Sequence, residues 1–207
     1  MEDPRAPSNP EPRTGRSQSL RAYDALRASA SRTSVNRPIT LGGAHAQAAY
    51  RRGFERLNEA LVRLEEALPR ICSEDESERV MDVVENKFDE TERDMRDEIT
   101  RIDTLRESFS LSVTAEFTSP LNTSVAIGSP QVGRYLNLLA EMDKLHLSVD
   151  TIWLEGRLPS KNRRALLMNW QRRLIRLSEE IRRIGARAIH ADASKGGSAE
   201  ADYAGAS

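Results

Sequence analysis

The stretch FSLSVTAEF, residues 109–117, decides the fold that we predict, because its apolar and polar side chains alternate at every position. A period of two is typical of a half-buried β-strand, in which successive side chains point to opposite faces. Ser119 and Pro120 end the stretch. A strand cannot satisfy its backbone donors and acceptors alone, and the rest of the chain shows no other convincing strand. We therefore expect this strand to pair with its own copy in a homodimer.

Two amphipathic helices are predicted before the strand. In the first, apolar residues recur at alternating steps of four and three within residues 50–68, which is a narrow helical seam. Pro69 should end this helix, because proline removes a backbone donor. The second helix should begin at Ser73, which has Glu76 in capping-box spacing, and its seam runs through residues 81–105. The short link between the two helices predicts an antiparallel hairpin.

Two more helices are predicted after the strand. Residues 132–153 carry a wide apolar face that suits a buried helix. Gly156 should end this helix, and Ser160 is a suitable N-cap for the last one. In the last helix, apolar residues recur within residues 167–188 at alternating steps of three and four. The predicted fold is therefore mainly α, with long antiparallel helices and one short β-strand that pairs across a dimer.

The chain divides into four predicted segments. Residues 1–42 are rich in proline and lack a sustained apolar period, so we expect a disordered N-terminal tail. Residues 43–107 should form the helical hairpin, and residues 108–190 a strand-helix-helix module. Residues 191–207 are rich in Ala, Gly and Ser, which predicts a disordered C-terminal tail.

The formal net charge of −1 hides a strong separation of charge along the chain. Residues 73–107 contain six basic and fourteen acidic side chains, whereas residues 161–190 contain nine basic and two acidic ones. One predicted helix is therefore acidic and another is basic. A near-neutral total does not exclude an anionic partner, because the field near a surface depends on the local charge.

Successive residues of an α-helix are rotated by about 100°, and this rotation places four arginines of the last helix on the side opposite its apolar seam. This arginine face consists of Arg172, Arg176, Arg183 and Arg187. Phosphate binding needs several cations on one surface, and a guanidinium can bind two oxygens at once, so the face is a candidate DNA-binding surface. The alternative is that it pairs with the acidic second helix, within one chain or across a dimer.

The sequence offers no pattern that is typical of catalysis or metal binding, since it has no Gly-rich phosphate loop, nucleophile elbow or Cys/His metal spacing. The three histidines lie far apart, and we expect them at helix-surface or capping positions. We therefore predict a non-enzyme with no catalytic residue, cofactor, metal or small-molecule substrate. No stretch has the length of a signal peptide or a membrane span, and the single Cys72 fits a reducing compartment. These features predict a cytoplasmic protein without a membrane partner.

Three stretches of the chain carry a resemblance to a known family. They are FTSP at residues 117–120, YLNLLAEMD at residues 135–143 and DTIWLEG at residues 150–156. Over roughly residues 45–190 the chain resembles the AcaB-like family of integrative and conjugative elements and conjugative plasmids. The resemblance implies a ribbon-helix-helix-like transcriptional regulator, in which paired strands of a dimer contact the operator.

By that pattern, the polar face of the predicted strand would face DNA through Ser110, Ser112, Thr114 and Glu116. A two-stranded ribbon fits the major groove, where Ser and Thr can contact base edges. The chain departs from the pattern in its much longer helices and in a strand without cations. We predict a homodimeric regulator of conjugative-transfer or mobile-element genes that binds double-stranded DNA. The alternative is a non-enzymatic helical scaffold or assembly protein of such an element.

Overall fold

The computed structural model describes the backbone of residues 33–203 and the side chains of residues 33–189. Its elements follow the order β1, α1, α2, β2, α3, α4. The first helix, α1, is continuous and includes a π-helical turn at Tyr50–Phe54 between Ala44–Ala49 and Glu55–Ile71. The remaining elements are β1 (Val35–Leu41), α2 (Glu74–Ser108), β2 (Leu121–Ile127), α3 (Pro130–Leu154) and α4 (Ser160–Tyr203). The fold is therefore mainly helical, with one small sheet.

The sheet is formed within the chain by β1 and β2, which pair in antiparallel orientation with Leu41 opposite Leu121 and Val35 opposite Ile127. The prediction that no second strand exists is thus wrong. Sequence patterns indicated neither strand, since β1 contains Pro38 and lies in the predicted tail, and β2 lies in a stretch rich in polar residues. The predicted disorder is also wrong for residues 35–41. Residues 1–32 lie outside the described residues.

The predicted strand at residues 109–117 is wrong, because these residues have no regular secondary structure. Their alternating pattern nevertheless corresponds in large part to alternating burial. Phe109, Leu111, Ala115 and Phe117 are half-buried and the polar residues between them are exposed, but the apolar Val113 is also 54% exposed. The backbone N–H of Ala115 donates a hydrogen bond to Thr151 Oγ1 of α3, at 2.9 Å. A non-helical segment that packs on a helix can therefore show the same alternation of apolar and polar residues as a strand, without a partner strand.

The capping box at the start of α2 is confirmed, with Ser73 Oγ accepting a hydrogen bond from the Glu76 backbone N–H. In α1, Pro69 lies inside the last turn and the helix ends two residues later, at Ile71. The packing expected of a hairpin is not observed, since α1 lies mainly against α4, and α2 mainly against α3. The helix α4 continues to Tyr203, into the predicted C-terminal tail. Residues 204–207 are not described.

The predicted helical seams form the core. Their buried members include Leu57 and Leu64 in α1, Phe88 in α2, Leu139 in α3 and Leu174 in α4.

Gly53, in the π-helical turn, allows α1 to approach α3 and α4 closely. A Cβ atom at this position would overlap the hydroxyl oxygen of the buried Tyr135 and would lie 2.9 Å from Ser178 Oγ. The Tyr135 hydroxyl in turn donates a hydrogen bond to the backbone oxygen of Leu174, at 3.3 Å. The core thus joins the three helices at one tyrosine.

Candidate nucleic-acid interface

The structure leaves the arginine face exposed, as all four of its side chains lie on the surface of α4. At about 100° per residue, Arg172, Arg176, Arg183 and Arg187 lie within an arc of about 60° opposite the buried seam. Arg183 forms an ion pair with Glu179 of the same helix at 3.7 Å, and both side chains are more than 40% exposed. Within residues 33–189, no ion pair joins the other three arginines to a carboxylate. This face is therefore available to an anion.

The acidic helix α2 has its main basic partner in α3. Arg134 forms ion pairs with three carboxylates on successive turns of α2: Glu85, Asp89 at 2.6 Å and Glu92 at 2.8 Å. Its hydrogen bond to Glu92 raises the pKa of the guanidinium, against the opposing effect of burial. The pairing of the arginine face with α2, which the sequence left open, is thus absent from the described residues of one chain.

A second contact between α2 and α4 uses Arg173, the neighbour of Arg172. Its guanidinium forms an ion pair with Asp94 and lies 4.9 Å from the ring centre of Trp170. Farther along, Lys87 of α2 lies 3.4 Å from Glu90 and 4.0 Å from Glu180. The acidic residues of α2 are thus partly neutralised by cations that lie beside the arginine face and not on it.

Between α2 and α4, two adjoining cavities form an open groove that shares Asn169 and Arg172. The larger, of about 920 Å³, is lined near the start of α4 by Lys161 and Arg164. The smaller, of about 410 Å³, is lined by Lys87, Arg173 and Arg176 and also by Glu90 and Glu180. Cationic side chains thus outnumber acidic ones along the groove, which adjoins the arginine face at Arg172 and Arg176.

The residues predicted to read bases are not brought together as a ribbon. Ser110, Ser112, Thr114 and Glu116 are exposed, but they lie in the irregular segment between α2 and β2. Ser110 adopts a left-handed backbone conformation with φ of 53°, next to the end of α2. Within residues 33–189, no hydrogen bond or ion pair joins this set to the arginine face.

Sequence reasoning missed a polar cluster that holds the start of α1 against α3. Asp143 accepts hydrogen bonds from the backbone N–H groups of Gly42, at 2.6 Å, and Gly43, at 2.9 Å. Burial raises the pKa of the Asp143 carboxyl, although these two hydrogen bonds lower it. Because the amides at a helix start have no partner within the helix, a carboxylate there stabilises both the turn and the helix dipole.

Two of the histidines meet in this cluster, contrary to the prediction of surface or capping positions. His146 is only 5% exposed, and its ring centre lies 5.5 Å from that of His45. His146 Nε2 lies 3.4 Å from the carboxylate of Asp150. His45 Nδ1 forms a hydrogen bond of 2.6 Å with Gln171 Oε1 of α4. The cluster therefore connects α1, α3 and α4.

Asp150 also fixes the start of α4 through Arg163, whose guanidinium donates two hydrogen bonds to the carboxylate at 2.5 and 2.8 Å. Burial alone would raise the pKa of Asp150, but the hydrogen bonds from His146 and Arg163 outweigh it and lower the pKa to about 2. The Arg163 guanidinium also lies 4.5 Å from the ring centre of Trp153. Arg163 is thus a structural arginine of α4.

No group of three or more His, Cys, Asp or Glu side chains among the described residues is placed to hold a metal ion. None of the described helices combines the length and the apolar character that crossing a membrane requires.

No protein-family model and no curated protein matches the chain, but it is similar to a solved structure. The similar structure is the crystal structure of selenomethionine-containing AcaB from uropathogenic E. coli. The two sequences are 30% identical, the TM-score is 0.78, and the match covers 82% of this chain and 88% of that chain. An identity and coverage of this size, together with the shared fold, show that this chain belongs to the AcaB family.

Proposed function

We propose that the chain is a DNA-binding transcriptional regulator of conjugative-transfer or mobile-element genes that acts as a homodimer. The observation that carries the proposal is the exposed arginine face of α4, while four carboxylates of α2 are bound by Arg134 and Arg173. Exposed arginines with at most one weak ion pair can neutralise phosphates and release their counterions, which is a main source of affinity for DNA. The resemblance to AcaB-like regulators supports the regulatory role.

The scaffold alternative requires the arginine face to be bound by the acidic helix, within one chain or across a dimer. Within one chain, Arg134 of α3 binds three carboxylates of that helix, which supports the DNA-binding proposal over pairing inside the chain. Pairing across a dimer is distinguished by the triple variant described below.

The ribbon that contacts base edges is, in this proposal, the sheet of β1 and β2. Alternate residues on one face of this sheet are exposed, and Asn36, Thr40, Asn122 and Ser124 are the polar ones among them. Asn, Ser and Thr side chains can hydrogen-bond to base edges in the major groove. These four residues replace Ser110, Ser112, Thr114 and Glu116, whose assignment depended on a strand at residues 109–117.

In the proposed homodimer, the two copies pair through a free edge of the β1–β2 sheet and not through residues 109–117. The sheet has two strands in the described part of the chain, so the outer edge of each lacks a strand partner there. Pro38 removes a backbone donor from β1, which leaves β2 as the edge better suited to pairing with a second copy. Sedimentation of the full chain at micromolar concentration should give the mass of a dimer, and a monomer would contradict this part of the proposal.

The arginine face is tested with the triple variant R172Q/R176Q/R183Q. Binding is measured by mobility shift at several salt concentrations, on promoter fragments of the protein's own mobile element and on a mixed-sequence duplex. Each lost phosphate contact lowers the log–log salt slope by about 0.9, so the slope should fall by about 2.7. The melting temperature should not change, because these arginines have at most one exposed ion pair.

The control is R79Q/R93Q/R96Q, which removes the same charge from exposed positions of the acidic helix α2. This variant should keep the parent salt slope. A lower melting temperature with an unchanged slope in the α4 variant would contradict DNA binding by the arginine face and would favour the scaffold.

A further inference from the structure

A second set of arginines surrounds a small recess between α1 and α4. Arg56 and Arg63 extend from α1, and Arg182 extends from α4, around a cavity of about 190 Å³. All three side chains are exposed. Within residues 33–189, no ion pair joins any of them to a carboxylate. Glu59 is the one acidic side chain among the residues that line the recess.

Three of the residues that line the recess are small, namely Ala60, Gly185 and Ala186, and Ile189 lines it beside them. The helices α1 and α4 pack against each other here, since a Cβ atom at Gly185 would lie 3.8 Å from the backbone oxygen of Ala60, an ordinary packing distance. The small residues leave room for a small ligand beside the long arginine side chains.

The charge of the recess indicates an anion. Three arginines and one glutamate line the recess, so it carries an excess of positive charge that the described residues do not neutralise. Guanidinium groups bind phosphate through paired hydrogen bonds, because the planar fork of N–H donors matches two oxygens of the phosphate group. A single phosphate group matches both the size and the charge of the recess.

We propose that this recess binds one backbone phosphate of DNA, and that the DNA-binding surface therefore continues from the arginine face around α4 onto α1. Arg182 lies next to Arg183 of the arginine face, about 100° around the same helix. The two surfaces are thus neighbours on α4. This inference rests on the proposed DNA-binding function and adds α1 to the surface that carries it.

The test is the variant R56Q/R63Q/R182Q, compared with the parent chain on a mixed-sequence duplex over a range of salt concentrations. Since the recess holds one phosphate, the salt slope should fall by about 0.9, in contrast to the fall of about 2.7 expected for the arginine face. The R79Q/R93Q/R96Q control should leave the slope unchanged. An unchanged slope in the recess variant, beside a parent chain that binds DNA, would overturn this inference and leave the proposed function intact.

A second variant, E59Q, changes the charge of the recess in the opposite direction. It removes the carboxylate and keeps all three arginines, so DNA should bind more tightly than to the parent chain. Weaker or unchanged binding would overturn the inference. If the parent chain itself fails to bind any duplex, the proposed function fails and the inference fails with it.

Inorganic phosphate distinguishes DNA from a free anion as the ligand. Millimolar phosphate should compete with the duplex for the parent chain more than for R56Q/R63Q/R182Q, at constant ionic strength. If phosphate raises the melting temperature of the parent chain alone and the salt slopes of the two proteins are equal, the recess binds a free anion and the inference is wrong. Melting temperatures of both proteins without phosphate should agree, because the three arginines are exposed.

Discussion

The acidic helix α2 and the basic helix α4 have similar amounts of excess charge but differ in how that charge is bound. Three carboxylates of α2 bind Arg134 of α3, and a fourth, Asp94, binds Arg173. The arginine face of α4 has one exposed ion pair in the part of the chain that the structure describes. The charge count of a helix therefore does not tell which of its charges remain available to a partner.

The same difference exists within α4. Arg163 and Arg173 reach neighbouring helices and bind Asp150 and Asp94. Arg172, next in sequence to Arg173, lines the same groove but is exposed and forms no ion pair with a carboxylate within residues 33–189. Rotation of about 100° per residue separates a structural arginine from a free one, so adjacent arginines should respond differently to substitution.

The largest effect is expected for R134Q, which leaves the carboxylates of Glu85, Asp89 and Glu92 without their shared cation. The Arg134 side chain is 23% exposed and that of Glu92 is 28% exposed, so removing the shared cation leaves uncompensated charge at a partly buried site. The free energy of unfolding, measured by urea denaturation, should fall by about 3 kcal/mol. R79Q on the same helix should change it by less than about 0.5 kcal/mol. Equal changes in the two variants would contradict a special role for Arg134.

The second effect concerns D150N and its dependence on pH. The folded-state pKa of Asp150 is about 2, below its ordinary value of 3.8. The carboxylate therefore stabilises the fold at pH values above about 4, and this contribution is lost as the pH falls from about 4 to about 2. At pH 7 the variant should be less stable by about 2 kcal/mol.

The measurement is urea denaturation of the parent chain and of D150N at a series of pH values. The difference between the two should shrink toward zero near pH 2. The raised pKa of Asp143 has the opposite pH dependence, but it is present in both proteins and cancels in the difference. A difference that stays constant from pH 7 to pH 2 would show that Asp150 acts through packing and not through its charge.

The smallest effect should separate the neighbours Arg172 and Arg173. R173Q breaks a partly exposed ion pair with Asp94 and should lower the free energy of unfolding by about 1 kcal/mol. R172Q should change it by less than about 0.5 kcal/mol, yet it should lower the DNA salt slope by about 0.9. R173Q should leave that slope nearly unchanged. If both variants act alike in both assays, the division of α4 into structural and free arginines is wrong.

The helices and the arginine face were determined by the sequence itself. Residues predicted for the seams, such as Val84, Leu139 and Leu177, are buried, and the capping box at Ser73 forms as expected. These features depend on residues within a few turns of one another, so helical periodicity and local hydrogen bonding decide them. The same periodicity places the arginine face away from the core.

The sheet and the charge partners were decided only by the tertiary structure. The strands β1 and β2 are far apart in sequence and pair in the folded chain. Hydrogen bonds from Arg37 to Asn137 and from the Gly42 backbone N–H to Asp143 join β1 and the turn after it to α3. The alternation at residues 109–117 arises from packing on a helix, which a period of two cannot distinguish from a strand. Likewise, no local pattern shows that Arg134 binds α2 or that arginines of α1 and α4 converge on one recess. Such contacts depend on how separate elements dock, and that is set by the packing of the whole core.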